Sequence, residues 1–293
     1  MDGIVNVNKP LGITSHDVVY RLRRLLGIKK IGHTGTLDPD ASGVLPMCVG
    51  KGTKLAEMLT ATDKQYLAEL TLGAFTDTQD ASGEVLQRFR VNVTEDEIRE
   101  KIADFVGEIS QVPPMFSAIK VNGKKLYELA REGKTVEREA RTVTIKNIEV
   151  QKVDLEAKTV TMLVDCSKGT YIRTLCNDIG AALGCGGYMS SLTRTKTGRF
   201  CIEKSFTLEQ IEEMLQNGDQ SFMVPVAEAL PEYRRITLAD KNAKKVRNGI
   251  RISVEGLTEG ETYRVFDESG EFLILAQQTK DGLDVIRTFY GGA

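Results

Sequence analysis

The residue in this sequence best suited to chemistry is an aspartate, Asp38, in a segment rich in glycine, threonine and proline that runs from Gly32 to Pro46. Pro39 follows it directly and restricts its backbone, and the surrounding glycines let the chain approach a ligand closely. A carboxylate held in this way could act as a nucleophile or as a general acid or base. The same pattern also suits an Asx-turn that only shapes the loop.

Two familiar ligand-binding motifs fit this segment poorly. The spacing from Asp38 onward resembles a calcium-binding EF-hand loop, but Val49 stands where the bidentate glutamate belongs. The stretch from Gly43 to Lys51 resembles a phosphate-binding loop, but six residues separate its glycines, and Gly52 replaces the Ser or Thr that would bind magnesium. We therefore reject both a calcium site and a P-loop nucleotidase.

A cation and an aromatic ring in two other segments are further candidates. Arg173 falls in the first turn of a helix predicted to begin near Thr170, where a cation opposes the helix dipole. This position indicates a negatively charged partner, a carboxylate or a phosphate; an exposed arginine on the helix surface is the alternative. Tyr66 lies on a predicted strand, where its ring could stack on a nucleobase or fill a half-buried structural position.

Helices and strands predicted from residue periodicity and capping patterns surround these candidates. They are a strand over 4–7, a helix from an N-cap at Ser15 to Gly27, an ordered loop over 31–50, a strand over 64–73, helices that begin at capping boxes 94–97 and 207–210, and strands over 142–153 and 159–166. Beyond about residue 220 a basic helix over 241–247 and short strands over 263–266 and 272–276 follow. This change to a basic helix and short strands predicts a domain boundary near residue 220.

The composition is that of a globular chain, with 41% hydrophobic and 27% charged residues among 293. No apolar run approaches the roughly 18 residues that span a bilayer, and the N-terminus lacks the features of a signal peptide, so we expect a cytoplasmic protein. Five widely spaced cysteines and two histidines leave few ligands for a disulfide framework or a zinc site.

The charges are segregated along the chain although the net charge is only −2. Eight basic residues stand against three acids over 9–54, and eight against four over 117–146, whereas nine acids stand against four bases over 77–108. Such segregation can create a basic face for phosphates on a protein with an ordinary net charge. Ordinary solvated helix faces are the alternative.

Several segments together resemble the TruB family of tRNA pseudouridine synthases. They are Gly32–Pro39, Lys64–Tyr66, Val112–Lys120, Gly123–Tyr127 and Ser167–Arg173. The resemblance covers about residues 3–215 with the motifs in order and at the family's spacing. The short C-terminal tail resembles the family's PUA-like RNA-binding domain more weakly.

The resemblance implies an α/β fold of the α+β type. Residues 1–222 are expected to form a catalytic domain around a mixed, largely antiparallel sheet of the pseudouridine synthase fold, with an RNA-gripping insertion around 112–140. Residues 233–293 are expected to form a small β-rich PUA-like domain. The implied partner is tRNA, with no membrane and no metal, and the protein is expected to be a monomer.

The resemblance implies a reaction that isomerises the T-arm uridine at tRNA position 55 to pseudouridine, with Asp38 as the catalytic aspartate. The base flips out, its N1 glycosidic bond breaks, and the bond re-forms at C5, with no cofactor. Arg173 is expected to pair with Asp38 and orient it. Tyr66 is expected to stack on the flipped uracil and is a candidate for moving the C5 proton.

Six further residues are implied to contact the substrate: His33, Leu192, Tyr171, Lys9, Lys120 and Lys124. Leu192 would lie in an apolar pocket beneath the base, His33 would fill the space left by the flipped nucleotide, and Lys9 would brace the loop of the aspartate. The basic stretch around Lys124 fits an element that grips RNA.

Three alternatives stay open at this point. Asp38 could attack covalently or could abstract a sugar proton. A noncatalytic RNA chaperone that kept the fold would bind the same RNA without turnover. An N-glycosidase would use Asp38 against an oxocarbenium-like centre, but such enzymes usually need two carboxylates, and no second acid stands in a comparable motif.

Overall fold

A computed structural model describes residues 1–117, 119–121 and 123–291, except for the side chain of Lys120. The strands are β1 (Gly3–Lys9), β2 (Ile31–His33), β3 (Ala41–Val49), β4 (Lys64–Leu72), β5 (Ala74–Thr76), β6 (Val85–Arg88), β7 (Gly107–Gln111), β8 (Lys120–Val121), β9 (Lys124–Lys125), β10 (Arg141–Asp154), β11 (Thr159–Cys166), β12 (Gly187–Thr197), β13 (Phe200–Cys201), β14 (Met223–Pro225), β15 (Arg234–Leu238), β16 (Thr262–Asp267), β17 (Phe272–Thr279) and β18 (Gly282–Thr288). The α-helices are α1 (Ser15–Leu26), α2 (Ala56–Thr60), α3 (Glu95–Ala103), α4 (Leu126–Arg131), α5 (Ile172–Ala182), α6 (Leu208–Gln216) and α7 (Asp240–Arg247).

The main sheet has the strand order β14-β1-β3-β12-β4-β11-β10-β7, and β2 and β13 pair with the ends of β3 and β12. Its pairs are antiparallel except for β3 and β12, which run parallel. This mixed, largely antiparallel sheet confirms the predicted fold class. The parallel pair sets Leu192 beside Ala41, while β4 on the other side sets Ala68 beside the same leucine.

Strand β3 contradicts the prediction of an ordered loop over 31–50. Residues Val44 to Val49 are fully or almost fully buried, and their burial outweighs the glycine and proline content of the segment. Gly43 makes the close pairing possible, since its φ is +103° and a Cβ there would collide with the carbonyl oxygen of Arg194. The aspartate loop is therefore a short connection between β2 and β3.

The first helix begins one residue earlier than predicted, because its N-cap is Thr14 and not Ser15. Thr14 and Asp17, three residues apart, form the capping box. The Ser15 hydroxyl is buried; it donates to the carbonyl oxygen of Leu37 (3.0 Å) and accepts from the Leu37 N–H (2.8 Å). The start of α1 therefore holds the residue directly before Asp38.

The capping boxes predicted at Thr94 and Thr207 are present and start α3 and α6. Both helices pack with α1 and α5 into the core of the main sheet. No helix in the described ranges is long and apolar enough to cross a membrane.

The C-terminal segment forms a small four-stranded sheet in the order β15-β16-β17-β18, as predicted for a small β-rich domain. It has a hydrophobic cluster of its own, which includes Tyr263 and Leu273. A second cluster joins it to the main sheet, since Leu275 and Phe289 pack with Val44 and Cys48. The small sheet is thus attached directly to the strand that leaves the aspartate loop.

Helix α5 lies unusually close to the main sheet at Gly180, where an added Cβ would fall 2.2 Å from the Gly187 backbone nitrogen. We expect Gly180→Ala to destabilise the protein by about 1–3 kcal/mol through overpacking, although helix propensity alone would stabilise it by about 1 kcal/mol. Urea unfolding measures the difference. Ala181→Gly, at an exposed position in the same helix, isolates the propensity effect; a Gly180→Ala protein as stable as the native chain would contradict the close packing.

Candidate active site

Asp38 and Arg173, from distant parts of the chain, lie together at the surface of the main sheet. Nη2 of Arg173 is 3.1 Å from Oδ2 of Asp38. The Asp38 side chain is 45% exposed and that of Arg173 only 9%. A buried cation therefore holds the carboxylate of Asp38, and the carboxylate stays accessible to a ligand from the solvent.

Arg173 also contacts a second carboxylate that sequence reasoning missed. Its Nη1 lies 3.3 Å from Oδ2 of Asp80, whose side chain is 14% exposed, and its Nη2 donates to the carbonyl oxygen of Phe116 at 2.9 Å. Hydrogen bonds to Asp80 and to the Phe116 carbonyl thus fix the guanidinium plane, which suits the forked donor geometry of arginine. Asp38 is the more exposed of the two carboxylates.

Asp80 is held in a polar turn between β5 and β6. Its Oδ1 accepts hydrogen bonds from the hydroxyls of Thr78 and Ser82, both at 2.6 Å. Ala81 donates to the carbonyl of Met189, which ties the turn to β12. The expectation that no second acid stands in a comparable motif is therefore wrong, because Asp80 begins the run Asp-Ala-Ser-Gly over 80–83, the same four residues as over 40–43.

The first turn of α5 is positioned by a side-chain amide in place of an ordinary cap. Gln111 accepts from the Tyr171 N–H (3.1 Å) and donates to its carbonyl oxygen (3.2 Å), and the N-cap Tyr171 gives no side-chain cap. Arg173 is the second residue of the helix, where the dipole disfavours a cation. The two carboxylates compensate this position.

Tyr66 and Leu192 line the sheet beside the ion pair. Leu192 is 9% exposed and lies on β12 between Ala41 and Ala68. Burial raises the pKa of the Tyr66 hydroxyl, the charge of Arg194 opposes that rise, and the nearby Asp38 adds to it. Tyr66 therefore carries its proton at neutral pH.

Lys9 lies under the aspartate loop and is fully buried. Its Nζ donates to the carbonyl oxygens of Pro10 (2.8 Å) and Pro39 (3.4 Å). Burial lowers the pKa of Lys9 to about 8, although the charges of Asp38 and Asp40 act in the opposite direction. The contact with Pro39 braces the backbone one residue after Asp38.

His33 ends β2 just before the loop, and its buried Nδ1 has no hydrogen-bond partner within the described structure. Burial lowers the pKa of the imidazole, helped by the charges of Arg194 and His16. His33 is therefore neutral at pH 7, which suits a contact by shape better than a charge contact.

The insertion around 112–140 contacts the site near its start, where the carbonyl oxygen of Phe116 accepts a hydrogen bond from Arg173. Lys124 is exposed on β9, 3.6 Å from Glu132. The side chain of Lys120 lies outside the described part of the structure. Among the described residues no three His, Cys, Asp or Glu side chains are grouped to hold a metal ion.

The chain matches two family models. The first, TruB family pseudouridylate synthase (N terminal domain), covers residues 23–172, and the second, a tRNA pseudouridylate synthase B C-terminal domain, covers residues 173–231. The curated tRNA pseudouridine synthase B of Clostridium novyi (strain NT) is 45% identical over 97% of this chain and 98% of that protein. That of Bacillus anthracis is 45% identical over 94% of this chain and 92% of that protein.

Solved structures share the fold. A chain in the crystal structure of a Cbf5–Nop10–Gar1 complex is similar with a TM-score of 0.75 and 28% identity, over 98% of this chain and 85% of that one. A chain in a structure of an H/ACA RNP bound to a substrate RNA containing 2'-deoxyuridine gives a TM-score of 0.74 and 26% identity, over 99% and 85%. With family models over most of its length and relatives along nearly all of it, the chain belongs to the TruB family of pseudouridylate synthases, enzymes that isomerise uridine.

Proposed function

We propose that this enzyme converts a uridine in the T-arm of tRNA, at position 55, to pseudouridine, with Asp38 as its catalytic aspartate. The observation that carries the proposal is the ion pair in which buried Arg173 holds an exposed Asp38 at 3.1 Å. The relatives named tRNA pseudouridine synthase B support tRNA as the substrate. Since Asp38, Arg173 and Tyr66 all come from one chain, the proposal includes action as a monomer, in the cytoplasm where tRNA is found.

A uridine in a folded T-arm must leave its stack before the site can act on it, at a cost of a few kcal/mol. Tyr66 offers a ring for stacking, and Leu192 an apolar floor between two alanines. His33, neutral and beside the loop, would fill the space that the base vacates. These contacts offset the cost of unstacking.

The isomerisation conserves atoms and electrons. The bond between ribose C1' and uracil N1 breaks, the base turns, C1' bonds to C5, the C5 proton leaves, and N1 gains a proton. Asp38 acts on the ribose or the base by attack or by proton abstraction, and Arg173 orients its carboxylate. Tyr66 is protonated, and its oxygen is the candidate to pass on the C5 proton.

Two parts of the chain would hold the RNA outside the site. One is the insertion around 112–140, which carries Lys120 and Lys124. Tyr171, the N-cap residue of α5, lies nearby. The other is the C-terminal sheet, which we propose to be a PUA-like RNA-binding domain over 233–293, following a catalytic domain over 1–222. Phosphate contacts of this kind set affinity and fix the register of the RNA.

We expect Asp38→Asn to abolish pseudouridine formation, because an amide can neither attack ribose nor take up a proton. Affinity for tRNA should stay within about threefold, since phosphate contacts dominate it. The measurement is mass-resolved nucleoside analysis of an unmodified tRNA transcript, with chemical mapping of the product. Asp40→Asn, exposed in the same loop, is the matched control; lost binding in Asp38→Asn would make Asp38 structural.

We expect Arg173→Lys to lose activity by roughly 100-fold, since a lysine cannot contact both carboxylates and the Phe116 carbonyl in one plane. Asp80→Asn should lose less, because Asp38 keeps its own contact with the guanidinium. Single-turnover rates with saturating enzyme measure both. Turnover near the native rate in Arg173→Lys would refute the role of the ion pair.

A further inference from the structure

Arg194 is 1% exposed and is among the largest fully buried side chains of the protein. It lies on β12, two residues after Leu192. In the described part of the chain it forms no ion pair within 4.0 Å. A buried guanidinium without a carboxylate carries a large desolvation cost, so its retention calls for a compensating role.

The partners of Arg194 lie on both sides of Asp38. Its Nε donates to the carbonyl oxygen of Val44 at 2.7 Å, and its Nη2 donates to that of Gly35 at 3.3 Å. Gly35 lies near the start of the loop that carries the aspartate, and Val44 lies in β3, just beyond the end of that loop. One planar side chain therefore links the start of the loop to the strand that follows it.

The third neighbour of Arg194 is Tyr66. The two residues are direct cross-strand partners in the pairing of β12 with β4. The guanidinium opposes the rise that burial causes in the pKa of Tyr66. Its charge also lowers the pKa of Lys9 and of Lys64, both of which burial lowers to about 8. Arg194 thus adds a positive charge next to Tyr66.

We propose that Arg194 is a positioning residue of the reaction, a buried fork beside Tyr66 that ties the Asp38 loop at Gly35 to strand β3 at Val44. The inference rests on the proposed function, because it assigns Asp38 and Tyr66 to the uridine. It differs from the role of Arg173, which contacts the Asp38 carboxylate itself. Arg194 instead donates hydrogen bonds to backbone carbonyl oxygens on either side of that residue, at Gly35 and Val44.

The test compares Arg194→Lys, which keeps the charge without the fork, and Arg194→Gln, which removes the charge. Arg199→Lys, an exposed arginine just after the same strand, is the matched control. We expect both Arg194 variants to react on the order of 100-fold more slowly in single turnover, with tRNA dissociation constants within about threefold of the native value.

Two readouts need no turnover. Amide hydrogen exchange over 35–44 should be faster in both Arg194 variants and unchanged in the control. Nuclear magnetic resonance of ¹³C-labelled tyrosine, assigned with Tyr66→Phe, should show a raised pKa of Tyr66 in Arg194→Gln but not in Arg194→Lys. If the native protein is inactive but the Arg194 variants show these two responses, the proposed function is refuted and the structural coupling stands.

Opposite outcomes overturn the proposal. Turnover within about threefold of native in Arg194→Lys would show that the fork is dispensable. Arg194 only stabilises the fold if circular dichroism shows that both variants are unfolded. The same conclusion follows if affinity for tRNA falls in parallel with turnover. Unchanged exchange over 35–44 would show that its hydrogen bonds do not hold the loop.

Discussion

The contact on which the site depends is the buried guanidinium of Arg173 shared between two carboxylates, at 3.1 Å from Asp38 and 3.3 Å from Asp80. Removing one partner of a buried ion pair is far more costly than the pair is stabilising, because the remaining charge is left without compensation. The arrangement therefore constrains three separate segments at once: the loop before β3, the turn after β5 and the first turn of α5. It leaves only Asp38 well exposed to a substrate.

The sheet brings these segments together through β12, which pairs with β3 on one side and β4 on the other. Leu192 of this strand pairs with Ala41 and Ala68, and Arg194 pairs with Gly43 and Tyr66. The cation on β12 donates to backbone carbonyl oxygens, whereas the cation on α5 contacts two carboxylates and one carbonyl oxygen. We propose complementary tasks for the two arginines, one to hold the loop and one to orient its acid.

Much of this could be predicted from sequence, since short motifs carry their own local geometry. Asp38 before a proline, the capping boxes at Thr94 and Thr207 and the alternation of β4 depend on neighbouring residues. Asp80 could not be assigned, because its importance comes from contact with a residue 93 positions away. The glycine and proline of β3 predict a loop, but Gly43 allows a close pairing with β12 and Pro46 lies opposite Asn6 of β1, and only the tertiary structure creates these pairings.

The roles given to these residues share one central claim, that Asp38 drives the exchange of the N1 bond for a C5 bond. Release of tritium from a tRNA transcript carrying uridine labelled at C5 tests it directly, since that proton must leave when C5 is joined to ribose. We expect release of one tritium per target uridine by the native protein and none by Asp38→Asn. Tight binding of a competent transcript by the native protein without any release of tritium would contradict it.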